Sequence, residues 1–273
     1  MIYPKDLNIL IGASFTDYSV ILNNYQRDEL NLTLPVGEFI HVGLYKPFNR
    51  LYWEFVEPSS EPTALMSLEI YNGEIWQPVD NFLDETINGT RSGFISWKKR
   101  NGWGPSTIQN DNLYWVRFSF SEEFTANIRA INILFSDDND LRMELQSLDK
   151  YLAQGQKSFA PSHQTVRDDI IQTLRNKGKI KYGKGCCASL ENITKWDLLD
   201  IDEVKIASKY FVLEKIFWQA SAAPNDKFSE RQKQSKSHAE KSFDLLYLSL
   251  DENDTGKEDG QMTRLQTIEI ERI

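Results

Sequence analysis

The sequence predicts an α+β protein in two segregated parts: an N-terminal antiparallel β-sandwich, then a small helical bundle with an extended C-terminal tail. Three observations carry this. Apolar residues alternate with period two through much of the first half and recur every three or four residues in the second. Five of the seven tryptophans and seven of the nine prolines fall within the first 115 residues. Between the two patterns lies a polar run, Ser136-Asp137-Asp138-Asn139-Asp140, which reads as a linker. The expected parts are a sandwich over residues 1–136, a helical domain over 137–250, and a flexible linker with tail over 251–273.

Before residue 50 the alternation gives candidate strands at Leu7–Ile11, Ser19–Leu22 and Glu38–Tyr45. Leu51, Trp53 and Phe55 then alternate with Tyr52, Glu54 and Val56. Ala64, Met66, Leu68 and Ile70 share one face of the next run, which ends at Tyr71-Asn72-Gly73-Glu74. Asn-Gly between two such runs predicts a hairpin through a type I′ turn, both turn residues at positive φ, with Ile75–Val79 as the partner strand. Further strands fit Gly93–Lys98, Leu113–Phe120 and Asn127–Phe135. In the last two, Tyr114, Val116, Phe118 and Phe120 share one face, as do Ile131, Ile133 and Phe135. Short strands with turn signals at this spacing fit a sandwich.

Beyond the expected linker, Val166, Ile170 and Leu174 recur every four residues. They place a helix with Asp168 and Asp169 in its first turn and Gly178 as its stop. Asp200 and Glu203 have the spacing of a capping box and open a helix over 201–220. Its Val204, Ala207, Tyr210, Phe211, Leu213, Ile216 and Phe217 cover most of the circumference, which marks a central, buried helix. Pro224-Asn225-Asp226 breaks the chain and recaps a third helix over 227–250. Its stripe of Phe228, Gln232, Ser235, Ala239, Ser242 and Leu246 is small or polar in its first half. Such a face suits close packing on another helix or on a neighbouring subunit. The tail from Arg264 to Ile273 alternates Ile268 and Ile270 against Glu269 and Glu271, with no evident strand to pair with in its own domain.

Composition excludes several classes. A chain of 273 residues, 40% hydrophobic and 26% charged, buries a core without staples and is not wholly disordered. No apolar run reaches the ~18 residues of a membrane span. The first residues lack the basic stretch and apolar run of a signal peptide, so intracellular synthesis is expected. Cys186 and Cys187 are adjacent and give no disulfide framework, while His41, His163 and His238 are too scattered for a His/Cys zinc site. The net charge is −9, split as −6 over residues 1–136 and −3 over 137–273, and neither half suits coating nucleic acid.

Candidate chemistry is sparse. The lysines of Lys181-Tyr182-Gly183-Lys184-Gly185 would lower the thiol pKa of Cys186, but no histidine base lies near and the phosphate-loop spacing is absent. Acid pairs occur at Asp84-Glu85, Glu122-Glu123 and Asp137-Asp138. The densest, Asp137 to Asp140, lacks the Gly and distal Glu of a calcium loop. Lys98-Lys99-Arg100 offers too few charges to hold nucleic acid. The sequence therefore predicts no catalytic residue, no metal, no cofactor and no enzymatic activity. Tryptophans supply the main alternative. Trp53 and Trp115 fit a core, whereas Trp76, Trp97 and Trp103 lie near turns, where exposed rings would stack on sugars.

The second half resembles bacteriophage head–tail connector proteins, also called adaptor or head-completion proteins. The resemblance lies in the helix from Ile201 to Trp218, the break at Pro224-Asn225-Asp226-Lys227-Phe228, and the following helix ending Phe243-Asp244-Leu245-Leu246-Tyr247-Leu248-Ser249-Leu250. An upstream helix near Val166-Arg167-Asp168-Asp169-Ile170 fits as well. The first half is similar to β-sandwich modules of phage virion proteins at Gly43–Phe48, Ser92–Trp97 and Leu113–Arg117. Connectors of this kind are usually small and lack such a module.

The resemblance implies a structural virion protein of the phage neck: a homo-oligomeric ring of about twelve copies between portal and tail proteins, around the DNA exit channel. An acidic bore would let genomic DNA pass without specific binding, and no membrane is involved. Portal or neighbour-subunit contacts are expected from Leu265, Ile268, Ile270 and Ile273 of the tail, by strand addition, and from Gln232, Ser235 and Ala239 of the third helix. The alternative is a carbohydrate-binding virion protein whose aromatic-rich sandwich contacts host glycans.

Overall fold

The computed structural model describes residues 7–23, 29–60, 63–98, 103–177, 179–182, 186–189, 193–198, 201–221, 226–248 and 263–264; for residues 177, 179–182, 186–189, 247 and 263–264 it describes the backbone alone. The architecture is α+β, with two antiparallel sheets in the N-terminal region and the helices mostly in the C-terminal half. The chain divides after Ile133 into two compact units.

The first unit runs through β1 (Asn8–Ile11), β2 (Thr16–Asp17), a helical turn α1 (Ser19–Leu22), β3 (Leu30–Leu34), β4 (Ile40–Leu44) and β5 (Arg50–Glu57). It continues with β6 (Met66–Tyr71), β7 (Trp76–Pro78), β8 (Leu83–Asp84) and β9 (Gly93–Ser96). It ends with β10 (Ser106–Ile108), β11 (Asp111–Phe120) and β12 (Phe124–Asn132). One sheet has seven strands in the order β2-β1-β4-β11-β6-β7, with β10 added to β11. The other has five, in the order β3-β12-β5-β9-β8.

Register decides which side chains meet, because neighbours along a strand point to opposite faces. The cross-strand rows Ile40–Phe118–Leu68 and Val42–Val116–Ile70 are wholly buried and line the inner face of the seven-stranded sheet. Trp53 of β5 meets Phe118 edge to face at 5.0 Å, so the core lies between the two sheets. The outer face of the seven-stranded sheet carries the row His41–Arg117–Glu69. Trp115 shares that outer face and is still fully buried: its ring lies against Gly43, and the Ser106 carbonyl of β10 accepts its indole N–H at 2.9 Å.

Several expected elements differ. Ser19–Leu22 is a helical turn and not a strand: the Asp17 carboxylate accepts from the Ser19 backbone N–H at 2.9 Å and starts a turn locally. The hairpin at Asn72-Gly73 forms, with Trp76–Pro78 as partner, but its connection spans residues 72–75 and only Gly73 there has positive φ. The Asn72 side chain accepts from the N–H groups of Glu74 and Ile75 at 2.9 and 2.8 Å, an Asx turn replacing the second left-handed residue. A two-residue turn with positive φ at both positions occurs instead at Gln109-Asn110, between β10 and β11.

The second unit contains α2 (Asp138–Glu144), a 3-10 turn (Leu148–Tyr151), α3 (Ala160–Lys177) and the hairpin β13 (Lys179–Tyr182) with β14 (Cys186–Ser189). It closes with α4 (Asp202–Ala220), α5 (Lys227–Asp244) and the antiparallel pair β15 (Tyr247–Leu248) and β16 (Thr263–Arg264). The expected linker at 136–140 is a capped helix start. Asp137 accepts from the N–H groups of Asn139 and Asp140 at 2.9 and 3.0 Å, and Asp140 accepts from that of Asp137 at 3.0 Å. Helix α3 begins at Ala160, so Asp168 and Asp169 lie in its middle and not in its first turn; Gly178 lies outside the described residues.

Helix α4 is central, packed against α2, α3 and α5, with Val204, Ala207, Ser208, Val212, Leu213, Ile216 and Phe217 buried. Ile201 occupies its cap position without a side-chain hydrogen bond, and Asp200 lies outside the described residues. Tyr210 and Phe211, expected inside, are half-buried. They sit toward α5, where Tyr210 stacks on His238 at 5.1 Å and Phe211 meets Phe243 at 6.2 Å. Helix α5 stops at Asp244, short of the expected 250, because the chain extends into β15.

Candidate functional site

The first unit holds a cleft of about 700 Å³ over the outer face of the seven-stranded sheet. Its floor is the His41–Arg117 pair, set side by side by the β4–β11 register. Its walls come from the loop at Gly12–Phe15, from Glu38 and Phe39, from Trp76, and from Ser106–Ile108 of β10. The Arg117 guanidinium lies between two rings, 3.9 Å from the centroid of Phe39 and 4.5 Å from that of Trp76. Its Nε donates to Glu69 at 2.6 Å, which fixes the group and balances its charge. Phe15, Phe39 and Trp76 surround His41, with ring centroids 4.9, 5.8 and 5.5 Å away.

His41 is 4% exposed, and its Nδ1 has no hydrogen-bond partner. Burial first, and the nearby Arg117 charge second, lower its pKa to about 4 against the opposing hydrogen bond to the Leu10 backbone. The imidazole is therefore neutral near pH 7.

The tryptophans divide otherwise than expected. Trp53 and Trp115 are fully buried, as their alternation implied. Trp97 and Trp103, expected at exposed turns, are 5% and 8% exposed because both pack on Phe48, at 5.5 and 5.4 Å. Of the three proposed sugar platforms, Trp76 alone lines the cleft.

In the second unit, α3, α4 and α5 leave an open groove of about 490 Å³ lined by Val166, Ile170, Phe211, Trp218 and Phe243, with Asp169, Glu214 and Lys215 among its polar groups. Trp218 is 69% exposed. The Lys215 ammonium pairs with Asp169 at 3.0 Å, and Gln232 donates to Glu214 at 3.1 Å. The stripe expected to meet another helix or a neighbour packs on α4 of the same chain: Ser235 and Ala239 are buried there, and Gln232 is half-buried. Leu265, Ile268, Ile270 and Ile273 lie outside the described residues. The start of the tail does find a partner in its own unit, since Thr263–Arg264 pairs with Tyr247–Leu248.

A buried polar cluster that sequence spacing could not reveal joins three segments of this unit. Ser136 Oγ lies 2.9 Å from His163 Nδ1 and 2.8 Å from Ser208 Oγ, and Asp138 Oδ1 lies 3.3 Å from His163 Nε2. The residue types are those of a hydrolase triad. Ser136 and Ser208 are fully buried, however, and neither lines the groove. A nucleophile needs room for the reacting atom beside it, so this cluster fastens the helices together. Cys186 and Cys187 fall on β14, where Cys186 pairs with Tyr182 and Cys187 with Lys181.

Among the described residues no group of three or more His, Cys, Asp or Glu side chains could hold a metal ion, and no helix is long and apolar enough to cross a membrane. No family model matches the chain, and no curated protein matches it significantly.

Proposed function

We propose that the chain is a structural protein of a phage virion, a head–tail connector subunit that forms a ring in the neck between portal and tail. The observation that carries this reading is the groove between α3, α4 and α5. Trp218 and the half-buried Phe211 leave apolar surface open on the most apolar helix of the unit, where a subunit acting alone would gain by covering it. A head-to-tail ring covers such a surface on every copy at once. The order of helices also agrees with the resemblance: an upstream helix, a central helix, an Asp226-capped start and a long helix.

Mass photometry and negative-stain microscopy of the full chain, alone and mixed with the portal protein of the same phage, test this reading. Closed rings are expected in at least the mixture, and Trp218→Glu should abolish them while leaving the fold intact. A chain that stays monomeric in both settings would refute the proposal.

A further inference from the structure

We propose that the cleft on the outer face of the seven-stranded sheet is a binding site for a neutral oligosaccharide. The inference rests on the first unit alone and holds whether or not the chain assembles in a neck.

The size is right for a small ligand: about 700 Å³ falls within the range of pockets that bury one. The lining combines ring surface with uncharged hydrogen-bonding groups. Phe15, Phe39 and Trp76 are all half-buried, so each keeps part of its surface open. Thr107 and Asn112 also line the cleft and face each other across β10 and β11. Both are exposed, and their side chains make no hydrogen bond among the described residues. At the floor, the buried His41 ring packs against Phe15, Phe39 and Trp76 and extends the ring-lined surface.

Charge selects the class. Arg117, the one cation lining the cleft among the described residues, is held by Glu69 at 2.6 Å, and Glu38 adds a negative charge at the wall. His41 contributes none at neutral pH. A phosphate or sulfated chain would find no unbalanced cation there. A hydroxylated neutral ring finds apolar faces to lie on and the uncharged Thr107 and Asn112 side chains at its edge. The site is also prebuilt: β10 is pinned by the Trp115–Ser106 hydrogen bond, and Arg117 by two rings and a carboxylate, so little ordering is required on binding.

The test is a titration of the isotope-labelled full chain, following amide and indole N–H resonances. The probes are a panel of neutral oligosaccharides built on glucose, mannose, galactose and N-acetylglucosamine, with a heparin tetrasaccharide as the anionic control. At least one neutral probe should shift the Trp76 indole signal saturably. Trp76→Ala should weaken that binding about tenfold or more, and Asn112→Ala, an exposed position whose loss leaves the fold intact, about fivefold. Trp218→Ala, in the other unit, should leave it unchanged. Absence of saturable binding by every neutral probe at ~10 mM would overturn the proposal, since that marks affinity too weak for a formed site. So would preference for the heparin fragment, or neutral binding that neither Trp76→Ala nor Asn112→Ala affects.

Discussion

Gly43 on β4 stands directly opposite Trp115 on β11, and a Cβ at position 43 would come within 2.6 Å of the Trp115 ring. The indole lies against the glycine and donates its N–H to the Ser106 carbonyl of β10. The β10 wall of the cleft is thus anchored through a side chain that only a glycine across the strand can accommodate.

Gly43→Ala should therefore displace the indole and cost about 1–3 kcal/mol of stability, the usual penalty for overfilling a packed site. Denaturant titration would measure it. Gly73→Ala serves as the control for a glycine with open space around it, whose loss acts through its positive φ alone. A Gly43→Ala protein as stable as the parent would mean that the ring has another place to go.

Much of this layout was legible in the residues. Period-two alternation located β5, β6, β11 and most of β12, because one face of each packs on the core. Alternation in Leu30, Leu32 and Leu34 carried the same signal for β3 but is only five residues long. The helix start at Asp137 was hidden because its box uses Asp at both ends, which reads equally well as a solvated loop. Of the cleft, Trp76 was legible as a ring near a turn, but its floor was not. His41, Arg117 and Glu69 are far apart in sequence and become neighbours only through the order β4-β11-β6, which no local pattern encodes. Burial of Trp97 and Trp103 was misjudged for a similar reason: both converge on Phe48 from distant chain positions.

His41 gives stability a defined pH dependence. Its folded pKa of about 4 lies below the unfolded value of 6.5, so between these the unfolded chain holds a proton that the folded chain does not. The contribution is complete above the unfolded value and is lost as pH falls, reaching on the order of 3 kcal/mol below the folded one. His41→Gln cannot titrate. The stability difference between parent and variant should shrink by about that amount from about pH 7.5 to about pH 4, measured by urea denaturation. A constant difference would show that the imidazole is not held neutral.

Within the second unit, burial ranks two positions on α4. Ile216 is 2% exposed, so Ile216→Ala should cost about 2–5 kcal/mol, the range for removing a packed aliphatic side chain. Phe211 is half-buried beside the groove, so Phe211→Ala should cost about 1–2 kcal/mol despite the larger side chain. Paired denaturation curves check the order. A reversed order would place Phe211, not Ile216, at the centre of the packing.

The cluster around Ser136 predicts non-additivity. One hydroxyl bridges His163 Nδ1 at 2.9 Å and Ser208 Oγ at 2.8 Å, and all three side chains are buried. Ser136→Ala strands both partners away from water and should cost about 2–3 kcal/mol. Ser208→Ala removes an outer member, leaves the Ser136–His163 bond in place, and should cost about 1 kcal/mol. In the double variant the Ser208 hydroxyl is no longer present to be stranded. Its cost should fall below the sum of the two by about 1 kcal/mol, a coupling readable from a double-mutant cycle of unfolding free energies. Independent hydroxyls would instead add to within about 0.5 kcal/mol, and that result would remove the case for a shared network.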